Sequence, residues 1–308
     1  MSKISASPLW NLLLFILTII TVFFAGFFNL YATGIEQAIY NGVVFTVSLL
    51  GILGAHEAGH YFMAKKNNVP ASLPYFIPMP PFISMFGTMG AVIVMKGRIR
   101  SRDALMEVGA AGPLAGMIVA IPVLFAGVGN CAVIQAGSTD MIEGQSILYL
   151  MAKFFMASNL AEGKDILLNS SPMAFAGWVG MLVTMLNLLP VGQLDGGHIF
   201  YAMFGDMHKK VSIYFHRSLF LFGLIISFYF ANEAYGRGFS RDKIIEAAMP
   251  GASWIFLGIL MLVLFKKRGF VHPHTDDNSL SLRGKIIGVL SMIVLILTFM
   301  PVIMRPVM

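Results

Sequence analysis

The sequence predicts an all-α polytopic integral membrane protein of about six to seven transmembrane helices, with a re-entrant β-hairpin-like segment near residues 82–99. Three observations carry this prediction. Apolar residues make up 57% of the 308 and charged residues only 12%, with a mean hydropathy of +0.78, the composition of a chain that lives in lipid. Several apolar runs approach or exceed the roughly 20 residues that a helix needs to cross about 30 Å of hydrocarbon. The basic residues fall in short clusters between those runs and never form one basic face, so the net charge of +6 reads as a topology signal and argues against a nucleic-acid partner. The single cysteine, Cys131, cannot make an intramolecular disulfide, which excludes a stapled secreted scaffold.

In chain order, crossings are expected near residues 9–32, 41–64, 104–129, 173–190, 212–232, 251–265 and 285–304. The first run is too long for the core of a signal peptide and is expected to persist as a crossing. Between the second and third runs, the prolines at 70, 74, 78, 80 and 81 forbid a regular helix. The segment that follows, "GTMGAVIVMKGRI" (87–99), is rich in glycine and β-branched residues and reads as a hairpin or re-entrant strand, with Val92 and Val94 on its edge. With the N-terminus placed in the cytoplasm, most of the 21 Lys and Arg residues fall inside, leaving Lys153, Lys164, Arg237, Arg241, Lys243 and Arg305 outside. That bias supports seven crossings of a cell (inner) membrane with the C-terminus outside. The chain reads as one membrane domain over 1–308, with a chemical core at about 40–210 and C-terminal helices at about 212–304.

Charge inside the second apolar run demands a reason. "GILGAHEAGHYFMAKK" (51–66) places His56 and His60 four residues apart, on one face of a helix, with Glu57 beside them. Two imidazoles so spaced can grip one metal ion, and a neighbouring carboxylate can take a proton from water activated there. Lys65 and Lys66 mark the helix end, so the pair lies below the membrane surface. Ionisable groups at that depth cost roughly 2.5–3.5 kcal/mol each, which disfavours a purposeless cluster.

A hydrolytic zinc site needs three protein ligands and an open position. The loop acids Asp140, Glu143, Glu162 and Asp165 lie too far from the bilayer interior, and Asp103 and Glu107 follow a basic cluster where an interfacial role accounts for them. Asp195 remains. It follows an apolar run broken by Pro190 and Gly192 and precedes two glycines, a pattern tolerated at membrane depth where backbone lines a cavity. His198 is the second candidate for the same place. The stretch "VHPHTDD" (271–277) offers a secondary metal patch or, in the simpler reading, a solvated loop.

At these residues a resemblance emerges. HEAGH is similar to the HExGH of the site-2 protease family of intramembrane zinc metalloproteases, and "NLLPVGQLDGG" (187–197) resembles that family's Asn-x-x-Pro-x-x-x-Leu-Asp-Gly signature, in the same order. The likeness covers roughly residues 40–210. It implies that His56, His60 and Asp195 hold one zinc ion, that Glu57 is the general base, and that Asn187 holds substrate backbone or the developing oxyanion. "GAAGPLAG" (109–116) is similar to a Gly-Pro segment of the family, and its small residues suit close helix packing. Residues 130–172 are too few for the PDZ domain that some relatives carry there.

The implied function is hydrolysis of peptide bonds within or near transmembrane segments of membrane-protein substrates, with the lipid bilayer as the protein's other partner. A zinc transporter and a catalytically silent chaperone or scaffold of the same fold are the competing readings. Transport gives no reason for a glutamate beside the first histidine, and a silent relative would lack a ligand or the base.

Overall fold

The computed structural model describes residues 8–95, 97, 99–135, 141–157, 162–265, 275 and 279–307. The stretch 271–277, apart from Thr275, lies outside them.

Two long helices open the chain. α1 (Pro8–Asn29) and α2 (Ile35–Lys66) form an antiparallel pair, and Gly26 and Gly42 at their crossing leave room for Phe45 and Phe23. The proline-rich stretch then forms β1 (Tyr75–Pro78), which pairs antiparallel with β2 (Thr88–Val92). The strand expected in 87–99 is present, but its partner lies upstream of the 82–99 window. The prolines that prevent a helix still leave Tyr75–Phe76–Ile77 free to extend. α1 holds this hairpin through side chains. Asn11 Nδ2 donates to the Leu73 and Pro74 carbonyls at 3.1 and 2.9 Å, Thr21 Oγ1 to Gly87 at 2.6 Å, and Asn29 Nδ2 to Met85 at 3.2 Å. Gly87, at φ +73°, rests directly on the Thr21 carbonyl, where no larger residue fits.

α3 (Arg102–Val128) starts on a Ser101 cap that accepts from the Ala104 N–H. Beyond it lies a small cap with no counterpart in the sequence reading. It comprises β3 (Ala132–Gln135), β4 (Met141–Glu143), α4 (Ile147–Met156) and β5 (Lys164–Leu167). β3 pairs with β5, and β4 pairs with the C-terminal β6 (Met304–Pro306). Lys153 Nζ sits 3.4 Å from Glu143 and 3.0 Å from Asp165, and Tyr149 Oη donates to Glu143 at 2.7 Å.

α5 (Pro172–Asn187) has Pro at its first position and a Ser171 cap. At 16 residues it is shorter than a crossing, and it stops where Leu188–Pro190 break the chain, ahead of α6 (Asp195–Phe204). The expected run at 173–190 is therefore a 16-residue helix ending at Asn187, followed by a turn and a second short helix. α7 (Met207–Gly236) and α8 (Arg241–Phe265) form the next hairpin. α8 begins well before the expected residue 251 and runs through Pro250, beside which Ser227 Oγ donates to the Ala248 carbonyl at 2.8 Å. α9 (Leu282–Thr298) closes the bundle.

Among the described residues, five helices are long and apolar enough to cross a membrane: α1, α2, α3, α7 and α8. The main core gathers Phe45, Leu49, Leu124, Tyr149, Trp178 and Met181 from α2 through α5, all fully buried. The protein is a multi-pass membrane protein. Its polar ends segregate. Lys66 and Arg283 both reach Glu107 at 3.4 Å, and Ser281 Oγ donates to Asp103 at 2.7 Å, tying α2, α3 and α9 at one end. Lys153, Asp165 and Arg305 mark the other.

Candidate metal centre

His56 and His60 lie one helical turn apart on the face of α2 that packs against α3, and that packing is possible only because α3 presents glycine there. A Cβ at Gly112 would overlap Nε2 of His60, and one at Gly116 would press on the His56 ring. Conversely, Gly59 lets α2 sit on the Ala111 carbonyl. The small residues of 109–116 thus provide close packing, as expected, and also the space that the imidazoles occupy.

The third group arrives from the broken helix. Gly192 adopts φ +56°, its N–H donates to Ser212 Oγ of α7 at 2.8 Å, and the ring of Phe265 of α8 lies against it. Gly196 then packs on the Leu188 carbonyl with no room for a side chain. Together these contacts fold α6 back on the end of α5 and aim Asp195 at the histidines.

The convergence is tight. His56 Nε2 and His60 Nε2 are 3.1 Å apart, and Asp195 Oδ2 lies 3.2 Å from each. Among the described residues, His56, His60 and Asp195 form the one group whose ligand atoms could share a metal ion. The spacing fits zinc, because a tetrahedron with metal–ligand bonds of about 2.0 Å has edges of about 3.3 Å. The tautomer fits as well. His60 Nδ1 donates to the Val108 carbonyl at 2.7 Å, which leaves the Nε2 lone pair free for a cation.

Around this triangle is a cavity of about 170 Å³. Glu57, 5% exposed, forms part of its wall. Asn187 Nδ2 lies 3.4 Å from His56 Nε2. His198 lines the same cavity, but Asp195 is the residue brought to the pair. On the far side Ala91, Val92 and Ile93 bring the β2 strand to the cavity. Three contributions escape the sequence: the Val108 carbonyl, Ser212 as support of the turn, and Gly112 as the space for His60. A backbone carbonyl has no residue code, and Ser212 is distant in the chain. Gly112 did carry a signal, as part of a small-residue stripe.

The sequence pattern of "Peptidase family M50" matches residues 44–230, which include His56, Glu57, His60, Asn187 and Asp195. This chain belongs to peptidase family M50. Within that family it is 29% identical, over 226 residues, to "Probable zinc metalloprotease EGY2, chloroplastic" of Arabidopsis thaliana, a match covering 69% of this chain and 39% of the relative. Against the protein of the same name from Oryza sativa subsp. indica the identity is 27% over 251 residues, covering 78% and 39%. "Probable zinc metallopeptidase EGY3, chloroplastic" of Arabidopsis thaliana is 26% identical over 297 residues, covering 84% and 49%. This M50 chain therefore spans less than half the length of these relatives. No solved structure matches it.

Proposed function

We propose that this M50 chain is an intramembrane zinc metalloprotease, an endopeptidase that hydrolyses peptide bonds within or near transmembrane segments of membrane-protein substrates. The observation that carries the reading is the triangle of His56, His60 and Asp195, with tetrahedral edge lengths and a buried glutamate in the wall of its cavity. The names of the relatives, probable zinc metalloproteases, agree with it.

In this reading His56, His60 and Asp195 hold one zinc ion, with Val108 fixing the His60 tautomer. Bound there, zinc supplies Lewis acidity toward a peptide carbonyl and makes water easier to deprotonate. Glu57 takes a proton from the attacking water and passes it to the leaving amine, so that one C–O bond forms as the C–N bond breaks. With its His56 neighbour engaged by the ion, the Asn187 amide is free to donate to the carbonyl oxygen as charge develops on it.

A helix hides its carbonyls, so the substrate must open before water can attack. The β2 side of the cavity supports a way to hold the opened strand, by β-augmentation. Ser72 Oγ takes the Val94 N–H at 3.0 Å, and strand alternation turns the N–H of Ile93 to the opposite edge, beside the cavity that Ile93 lines. The end of the molecule carrying Lys66, Glu107 and Arg283 is assigned to the cytoplasm of a cell (inner) membrane, from the distribution of basic residues.

The test is cleavage of a single-span membrane protein by the purified chain in lipid vesicles. Cleavage that is lost on chelation and restored by zinc is the expected result. Cleavage indifferent to the chelator would contradict the proposal.

A further inference from the structure

Glu57 walls two cavities. One is the metal cavity, and the other is an open apolar cleft between α1 and α2, of about 490 Å³, within the range of about 300–1,000 Å³ typical of ligand sites. On α2 its wall is the stripe Leu50, Gly54, Glu57, Ala58 and Tyr61, one face of the helix and distinct from the face that carries His56 and His60. α1 contributes Leu12 and Phe15, with Phe15 packed on Phe76 of β1 at a ring separation of 4.9 Å. The hydrogen bonds of Asn11 to Leu73 and Pro74 close one end. Leu12 and Phe62, 54% and 66% exposed, line its open side. Among the described residues, Glu57 is the one acidic residue lining the cleft.

We propose that this cleft is the specificity pocket for the substrate residue that carries the leaving amine, and that it takes a large apolar side chain such as Leu or Phe. The inference rests on the protease reading and adds a substrate class to it. Its logic is bond geometry. Glu57 passes its proton to the leaving nitrogen, and the Cβ of the residue bearing that nitrogen is two bonds away. Whatever surface adjoins Glu57 away from the metal must therefore receive that side chain, and the surface there is apolar. The small residues Gly54 and Ala58, one turn apart next to Glu57, keep the cleft open.

Gly54 offers a clean test. A Cβ built there meets no atom within 4 Å, and the same holds for Gly51, which does not line the cleft. Gly54→Leu adds its Cβ in open space, projects its side chain from the cleft wall and, in a helix interior, replaces a poor helix former with a good one. Gly51→Leu is the control for an added leucine on α2. The full chain loaded with zinc in vesicles is given single-span segments that differ only in Leu or Ala after the mapped scissile bond. Two quantities are read: the Leu/Ala ratio of kcat/KM, and the Leu/Ala ratio of segment binding before turnover. Wild type is expected to prefer Leu at least about tenfold in both. Gly54→Leu is expected to bring both ratios near unity with zinc content unchanged, and Gly51→Leu to keep the wild-type ratios. Gly54→Leu retaining the wild-type preference overturns the pocket, as does a wild type indifferent to Leu or Ala. If wild type cleaves neither segment, the protease reading fails, and the binding ratio decides the cleft alone: a Leu preference lost in Gly54→Leu sustains it, and equal binding refutes it.

Discussion

Gly112 is the residue whose smallness the metal centre depends on most directly, since a methyl group there would occupy the position of His60 Nε2. Gly112→Ala is expected to push the imidazole off Asp195 and lower zinc affinity well beyond the roughly 10–100-fold that loss of an outer-shell partner costs; metal titration of the purified variant checks this. Asp195→Ala removes one of the three proposed ligands and is expected to lose zinc and cleavage together. Zinc analysis showing full occupancy in that variant would shift the ligand role toward His198, which lines the same cavity. The convergence of His56 and His60, with Glu57 beside them, was legible from helical spacing and the cost of burying charge. Asp195 was legible through the proline and glycines that break its helix. The Val108 carbonyl was not, because it belongs to the packing of α3 on α2 and not to any residue type, and Gly112 showed only as one member of a small-residue stripe.

At the scale of elements, the metal site sits where two irregular pieces meet: the end of α5 and the edge of β2. A proline at Val94 would break the bond to Ser72 Oγ and with it the hairpin, so Ile93 is the informative position. Ile93→Pro is expected to reduce cleavage of helical substrates by about tenfold or more while zinc stays bound. Unchanged rates would remove the strand from substrate binding. The long apolar helices could be read from composition and length. The outer cap could not, since strands of three or four residues carry little periodicity and β4 finds its partner in β6, near the other end of the chain. The early start of α8 was hidden by the charged residues Arg241, Asp242 and Lys243, which a hydropathy reading assigns to a loop.

For the whole molecule, the segregation of polar ends makes sidedness testable with single cysteines in a Cys131→Ser background. Burial pushes the native Cys131 thiol up to about 12, so the unmodified protein is expected to react slowly with thiol reagents at neutral pH. Cysteines at Lys66 and Lys209 are expected to label from one side and at Lys164 and Ser240 from the other; labelling of 164 and 209 from the same side would refute the path through α5 and α6. This sidedness is the expectation that the basic clusters carry; the end of α5 at Asn187 and the new start of α6 at Asp195 were not legible, because a break at Pro190 looks alike in sequence whether it falls at the surface or at depth. The division of labour at the centre, three residues to hold zinc and a fourth to move the proton, is tested most directly by Glu57→Gln. Zinc per chain and cleavage of a single-span substrate are measured on the same vesicle preparation. The expected result is one zinc ion per chain, as in wild type, with cleavage slowed by about 10²–10⁴-fold. A variant that binds zinc and still cleaves near the wild-type rate would contradict the account.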